Sequence, residues 1–345
     1  MIKMWSEILE QPEVLERCKN KNSKIISNIV DILYKNNIGN IVIAARGTSN
    51  HAAIYGKYVL ELLTRKPVSL ASPSIFTLYG GGLDVKNSLV IGISQSGMAQ
   101  DVLEVMKNAN NSGAITVGIT NYNESPIAKE SKVHLNCEAG EEKSVAATKT
   151  FTAQMFLLAY LASEWGNNDE LKQELIKLPT HLLNVFKVAD DIEKNVTRYR
   201  FANECFVLAR GFNYAIALEA ALKIQETTYV RAKAFATSEF QHGPIAMIES
   251  NIPVILFAPE GPSFNDLSGM LMKLKESQIE TVVVSNNKKI LEEGTCAFEI
   301  PETNNDAISP FFNAIVAQMF ACKLSLVKGL NPDTPRRLSK VTITK

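Results

Sequence analysis

The sequence predicts an α/β protein built from two tandem copies of one domain, each a parallel five-stranded sheet flanked by helices in three α/β/α layers. Length, alternation and an internal repeat lead to this. At 345 residues the chain exceeds what one hydrophobic core usually supports. In the first half, short β-branched runs at 40–45, 68–71, 89–93, 115–120 and 133–136 alternate with helical patterns such as His51–Thr64 and Ala99–Asn111. The second half repeats the alternation at 205–209, 234–236, 253–258, 279–285 and 297–300, with good helix formers over Ala215–Val230. Such alternation marks a parallel sheet covered on both faces.

The repeat is visible in register. Ala45-Arg46-Gly47 follows Ile41-Val42-Ile43, and Ala209-Arg210-Gly211 follows Phe206-Val207-Leu208, which sets Gly47 and Gly211 164 residues apart. The same offset aligns Ser74-Ile75-Phe76 with Ser238-Glu239-Phe240. It also aligns Val90-Ile91 before Gly97 with Val254-Ile255 before Gly261. One such pair fits chance; three collinear pairs argue for duplication. The expected division is an N-terminal helix at 1–24, a first domain at 25–188, a second at 189–330 and a tail at 331–345. The polar stretch Ala189–Arg200 is the expected junction.

Composition narrows the function. Lys+Arg 36 against Asp+Glu 36 leaves no excess charge to draw the chain to nucleic acid or a membrane surface, so an anionic ligand must be held locally. Five scattered cysteines form no CxxC pair, which argues against zinc or redox chemistry. No metal or cofactor is expected. The amphipathic N-terminus does not read as a secretory signal and no apolar run is read as a membrane span, so the cytoplasm is the expected location.

Ligands of open parallel sheets sit beyond the carboxyl ends of the strands. After the run 89–93 comes Ser94-Gln95-Ser96-Gly97 and then a helical pattern, a set of hydroxyls, amide and close backbone suited to phosphate. A second loop, Arg46-Gly47-Thr48-Ser49-Asn50, follows the first strand and can add Thr48 and Ser49. Ser and Gly after strands are also ordinary turn and cap residues. The aligned Ala258-Pro259-Glu260-Gly261 keeps the glycine and lacks both hydroxyls, so only the first half is equipped for phosphate.

ARGTSNHAA, ISQSG, EEKSVAATKTF, LEAALKIQETTY, EFQHGP and PRRLSKVT, in this order, resemble the isomerase half of glucosamine-6-phosphate synthase, which has two sugar-isomerase (SIS) domains. The likeness runs through nearly the whole chain. The synthase's glutaminase domain has no counterpart in this sequence. The resemblance therefore implies a phosphosugar enzyme of the synthase-like deaminase type, converting glucosamine 6-phosphate to fructose 6-phosphate and ammonia. A fructosamine-6-phosphate deglycase is the alternative. A non-catalytic sugar-phosphate sensor is a third reading, against which stands the lack of a helix-turn-helix segment or basic patch.

Residue by residue, the resemblance implies that Glu226 moves the proton between C2 and C1 and that Lys223 assists at the open-chain oxygens. These two lie three apart on one helix face, a spacing that also fits a solvated ion pair. His242, in Gln241-His242-Gly243-Pro244, corresponds to a ring-opening histidine contributed across a homodimer interface, although Gly-Pro is also a plain turn signal. Lys340 corresponds to a Schiff-base lysine in a tail expected to be anchored by Leu338 and Val341. Gly47, Thr48, Ser49, Ser94, Gln95 and Ser96 would hold phosphate, and Glu142, Val145, Ala146 and Ser339 would line the sugar. Two hydroxyls of the synthase pattern are replaced, by Ala99 and Ala147. His51, His134 and His181 have no comparable context.

Overall fold

The computed structural model describes residues 2–340; Val341 lies outside them. The ten expected strands are β1 Asn40–Ala44, β2 Val68–Leu70, β3 Ser88–Ile93, β4 Ile115–Thr120, β5 Val133–Asn136, β6 Glu204–Ala209, β7 Arg231–Ala236, β8 Val254–Phe257, β9 Thr281–Ser285 and β10 Cys296–Glu299. They form two five-stranded sheets, ordered β2-β1-β3-β4-β5 and β10-β9-β8-β6-β7. All neighbours are parallel. Read from β7, the second order repeats the first, so the duplication extends to topology. In each sheet the chain order reverses beside the first strand, between β1 and β3 and between β6 and β8, which are the switch points where ligands collect in such folds.

The chain divides into two compact units. The first-sheet unit comprises Glu10–Glu142, Lys149–Pro179 and, from the tail, Leu338 to Lys340. The second-sheet unit comprises the N-terminal segment through Leu9, Lys143–Thr148 and Thr180–Arg337. The stretch Ala189–Arg200 is mostly helical, with an α-helix at Ala189–Val196 and a 3-10 turn at Thr197–Tyr199.

In the first-sheet unit, β3 is buried along its whole length and its neighbours β1 and β4 along all but their first residue, as expected of unbroken Val/Ile runs inside a parallel sheet. The helices Gln11–Lys35 and Gly47–Thr64 cover it together with the almost wholly buried Lys149–Trp165. In the second-sheet unit the helix Tyr214–Thr228 packs against Ser309–Val327. Contrary to the reading of sequence, Ser309–Val327 is long and apolar enough to cross a membrane by composition, but 83% of it is buried. Its surroundings are those of a core helix, with Phe311, Phe312, Ile315 and Met319 fully enclosed. All five cysteines are buried free thiols. Desolvation pushes Cys205 and Cys322 up to about 12.

Some boundaries differ for local reasons. The helix expected from His51 begins at Gly47, because Gly47 adopts φ +53° and turns the chain straight out of β1. Thr48 and Ser49 therefore lie in a first helical turn and not in a loop. Gly211, at φ +60°, opens the matching 3-10 turn Gly211–Asn213 after β6. Strand β7 starts three residues earlier than expected, as exposed Arg231 and Lys233 alternate with buried Ala232 on an edge strand.

A buried asparagine closes the other edge of the first sheet. Asn22, fully buried in Gln11–Lys35, donates to the Asn136 carbonyl at 2.8 Å and accepts from the Asn136 amide at 3.1 Å. It stands in for the strand that β5 lacks on that side. Replacing Asn22 with Leu leaves the Asn136 amide unpaired and its carbonyl with only the Cys18 thiol, at 3.8 Å, and is expected to cost about 1–3 kcal/mol. Denaturant unfolding checks this; a loss under 1 kcal/mol would remove the edge-pairing role.

Candidate functional site

The Ser94–Gly97 segment is a tight turn closing β3, held on three sides. The Ser94 amide donates to the Ile119 carbonyl at 3.1 Å, the Asn121 amide to the Gln95 carbonyl at 3.0 Å, and the Ile127 amide to the Gly97 carbonyl at 3.2 Å. Within the turn, the Gly97 amide donates to Ser94 Oγ at 3.1 Å and the Met98 amide to Ser96 Oγ at 3.3 Å. The Gln95 and Ser96 amides have no acceptor among the described residues, and both residues are half-buried. Two adjacent unsatisfied N–H groups in a pinned turn suit an anion. The following helix begins only at Gln100, so backbone and hydroxyls form this cradle and the helix end stands behind it.

Gly97 is required at this point. Its φ is +67°, and a Cβ there would lie 2.1 Å from Ser125 Oγ. Ser125 is backed in turn by Thr120 Oγ1 at 3.3 Å, which meets His134 Nε2 at 2.8 Å. Burial lowers the His134 pKa, which favours the neutral ring in this network. His134 is thus a support beneath the cradle.

Thr48 and the buried Ser49 lie at the end of β1, the sheet neighbour of β3. Beside them Arg46 Nε contacts Asp101 Oδ2 at 2.5 Å; the Asp101 side chain is 3% exposed and that of Arg46 52%. The same unit brings Glu142 and Lys340 together. Glu142 is fully buried and accepts from the Thr150 amide at 3.1 Å, Thr150 Oγ1 at 2.9 Å and Lys340 Nζ at 2.8 Å. Ser339 is exposed beside it.

The expected tail anchor Leu338 is 44% exposed and does not serve as one. Polar and ring contacts in the second-sheet unit hold the tail: Arg336 stacks 4.0 Å from the Tyr229 ring and its amide donates to Tyr229 Oη at 2.9 Å. Asp333 accepts from the Lys3 and Met4 amides, each at 2.8 Å. In that unit Val145 is half-buried and Ala146 fully buried, with the Val145 amide 3.4 Å from the Asp333 carbonyl. Glu7 braces their loop, accepting from the Lys143 and Ser144 amides.

On the helix Tyr214–Thr228, Lys223 is 1% exposed, and its Nζ lies 2.5 Å from Glu226 Oε2 and 3.4 Å from Glu219 Oε1. A solvated helix pair is therefore excluded. Burying an ammonium is very costly without close counter-charge. Glu219, also 1% exposed, supplies one carboxylate, and Glu226, 21% exposed, is the one facing outward. Sequence reading missed Glu219; its signal was the i−4 spacing from Lys223 in an otherwise apolar helix. Lys223 and Glu226 thus form a fixed ion pair of which only the Glu226 carboxylate reaches the surface.

His242 ends the helix Thr237–Gln241 beside Gly243 at φ +152°; it is exposed, and its ring has no partner among the described residues. The turn aligned with the cradle, Ala258–Gly261, has different surroundings. Glu260 Oε1 accepts from Asn287 at 2.6 Å, and a Cβ on Gly261 would meet Asp306 Oδ1 at 2.7 Å. Burial pushes the Asp306 carboxyl up to about 6. Two carboxyls beside this turn disfavour an anion where the first half carries serines.

The glycine contacts yield a graded expectation. Gly47→Ala meets open space and pays only for its positive φ, roughly 1–2 kcal/mol. Gly97→Ala adds the collision with Ser125, so its Tm should fall clearly further, and Ser125→Gly in the same chain should recover the difference. Equal Tm losses for the two alanines would remove the close-packed turn.

The SIS domain family model matches residues 32–164 and 199–328. Among curated relatives, the glutamine–fructose-6-phosphate aminotransferase of Aquifex aeolicus is 34% identical over 346 residues, covering 99% of this chain and 57% of that protein. The chain thus spans a little over half the length of such relatives. Two solved structures share the fold. One is the C-terminal domain of glucosamine-fructose-6-phosphate aminotransferase from Francisella tularensis, with TM-score 0.87 and 24% identity over 97% of this chain and 98% of that one. The other is glucosamine-6-phosphate deaminase from Thermotoga maritima, with TM-score 0.76 and 23% identity over 99% of this chain and all of that one. The repeated sheet topology and the two matched segments agree: this chain belongs to the SIS domain family, carrying two SIS domains and homologous to the isomerase half of glutamine–fructose-6-phosphate aminotransferase.

Proposed function

We propose that this protein is a phosphosugar enzyme that deaminates an amino-sugar 6-phosphate, converting glucosamine 6-phosphate and water to fructose 6-phosphate and ammonia. The observation that carries the reading is the buried Lys223 held by Glu219 and Glu226, a charged cluster that helix stability does not require. Ser94, Gln95, Ser96, Thr48 and Ser49 hold the phosphate. His242 assists ring opening. Glu226 takes the C2 proton of the open-chain aldehyde and returns it to C1, leaving the ketose imine, while Lys223 steadies charge on the oxygens. Lys340 exchanges with the imine nitrogen to release ammonia, and water then frees the ketose. Its ammonium proton must first leave, and Glu142, 2.8 Å away, is the base in place to take it.

Incubation with glucosamine 6-phosphate, following ammonia and fructose 6-phosphate, tests the reading. Equimolar release is expected, and Glu226→Gln should lower kcat by a factor of roughly 100 or more. No ammonia at millimolar substrate rejects it. Release of an amino acid from a fructosamine 6-phosphate would move the assignment to a deglycase.

The exposed, unpartnered His242 supports a second element of the proposal: the active protein is a homodimer in which this ring serves the neighbouring subunit. Mixing His242→Ala with Glu226→Gln, each inactive alone, should then restore part of the activity once subunits exchange. Exchange without recovery would place His242 in its own subunit's site.

A further inference from the structure

Arg46 was not among the expected phosphate ligands. It directly precedes Gly47-Thr48-Ser49 at the end of β1, and its guanidinium reaches Asp101 near the start of the helix Gln100–Asn111 that follows the cradle. Asp101 is two residues from Ala99, where the synthase pattern carries a hydroxyl. The contact uses Nε, at 2.5 Å from Oδ2, while Asp101 Oδ1 accepts from the Val102 amide at 2.9 Å. The carboxylate is buried and fixed, and the guanidinium is half-exposed with neither Nη engaged among the described residues. An arginine held through Nε presents its Nη pair outward, the geometry for binding phosphate oxygens.

The duplication supplies a comparison within the same chain. At the position of Arg46 the second unit carries Arg210, which meets Asp266 on the equivalent helix. Arg210 engages through Nη1, at 3.2 Å, and Asp266 is shared with Thr237 Oγ1. The turn beyond it holds Glu260 and is walled by Asp306. An Arg–Asp clasp from the first strand's loop to the third strand's helix is thus common to both units. The outward Nη pair beside a hydroxyl-bearing turn belongs to the first alone.

We propose that Arg46, oriented by Asp101, is a further ligand of the substrate phosphate, on the side of the cradle where Ala99 offers no hydroxyl. This rests on reading the Ser94–Gly97 turn as the phosphate site. It makes the cationic contact, and not an extra hydroxyl, the source of phosphate affinity in this chain.

Inorganic phosphate is the probe, read by thermal shift of the 345-residue chain. Wild type should rise in Tm with phosphate, Arg46→Ala should lose most of that rise, and Arg46→Lys should keep part of it. Arg210→Ala breaks the other clasp and should lower the ligand-free Tm while keeping the full phosphate shift. With glucosamine 6-phosphate as substrate, Arg46→Ala should raise KM roughly 10- to 100-fold with kcat little changed. A phosphate shift in Arg46→Ala equal to that of Arg210→Ala overturns the proposal and leaves Arg46 a strut. Ser94→Ala/Ser96→Ala separates the two readings: if it abolishes the shift while Arg46→Ala does not, the cradle stands and the arginine falls. If wild type shows no shift, both fall. Phosphate binding without turnover leaves Arg46 supported and rejects only the deaminase assignment.

Discussion

Every strand of a parallel sheet delivers the chain to the same edge, where it must turn into a helix while leaving a surface that can receive a ligand. Side chains with a Cβ resist the positive φ this demands. In both units the chain meets the constraint with glycine, at Gly47 and Gly97 and again at Gly211 and Gly261. The duplication therefore survives most visibly at these turns, because backbone geometry there tolerates few substitutions. The surroundings of these glycines differ between the units, with serines at the Gly97 turn and Glu260 and Asp306 at the Gly261 turn.

Buried charge is the second organising term. Lys223 lies between Glu219 and Glu226, Lys340 on Glu142, and Arg46 on Asp101, each with at least one carboxylate almost wholly removed from water. Such pairs are an uneconomical route to stability, since apolar side chains of similar volume do as well or better. They are an effective way to hold a cation in one position before a ligand arrives. The cations differ in reach: Lys223 is enclosed, Lys340 partly accessible and Arg46 half-exposed. Access from solvent therefore rises in that order.

The fold was legible in the sequence because its signal is periodic and repeated. Ten apolar runs became ten strands, and the register of Gly47 with Gly211 predicted a shared topology. The cradle was legible as a motif, but its mechanics were not. That Gly97 rests on Ser125, and that His134 stands beneath both through Thr120, depends on packing between β3, β4 and β5, which spacing does not encode. Glu219 escaped notice because a glutamate one turn from a lysine on a helix is usually solvated, and only burial distinguishes this one. The tail was misread for a similar reason. Leu338 looked like an anchor by hydrophobicity, whereas Arg336 on Tyr229 and Asp333 on the Lys3 and Met4 amides do the holding.

Asp333 accepts the backbone amides of Lys3 and Met4, closing a loop of 330 and 329 positions with two hydrogen bonds. Closing so long a loop costs little more entropy than closing one half its size, but it can happen only after the intervening chain has compacted. The segment around Asp333 is thus fixed late, by a contact that local structure cannot supply. Without that tie the segment around Asp333 would lose its two long-range hydrogen bonds, so its position depends on the rest of its unit having folded.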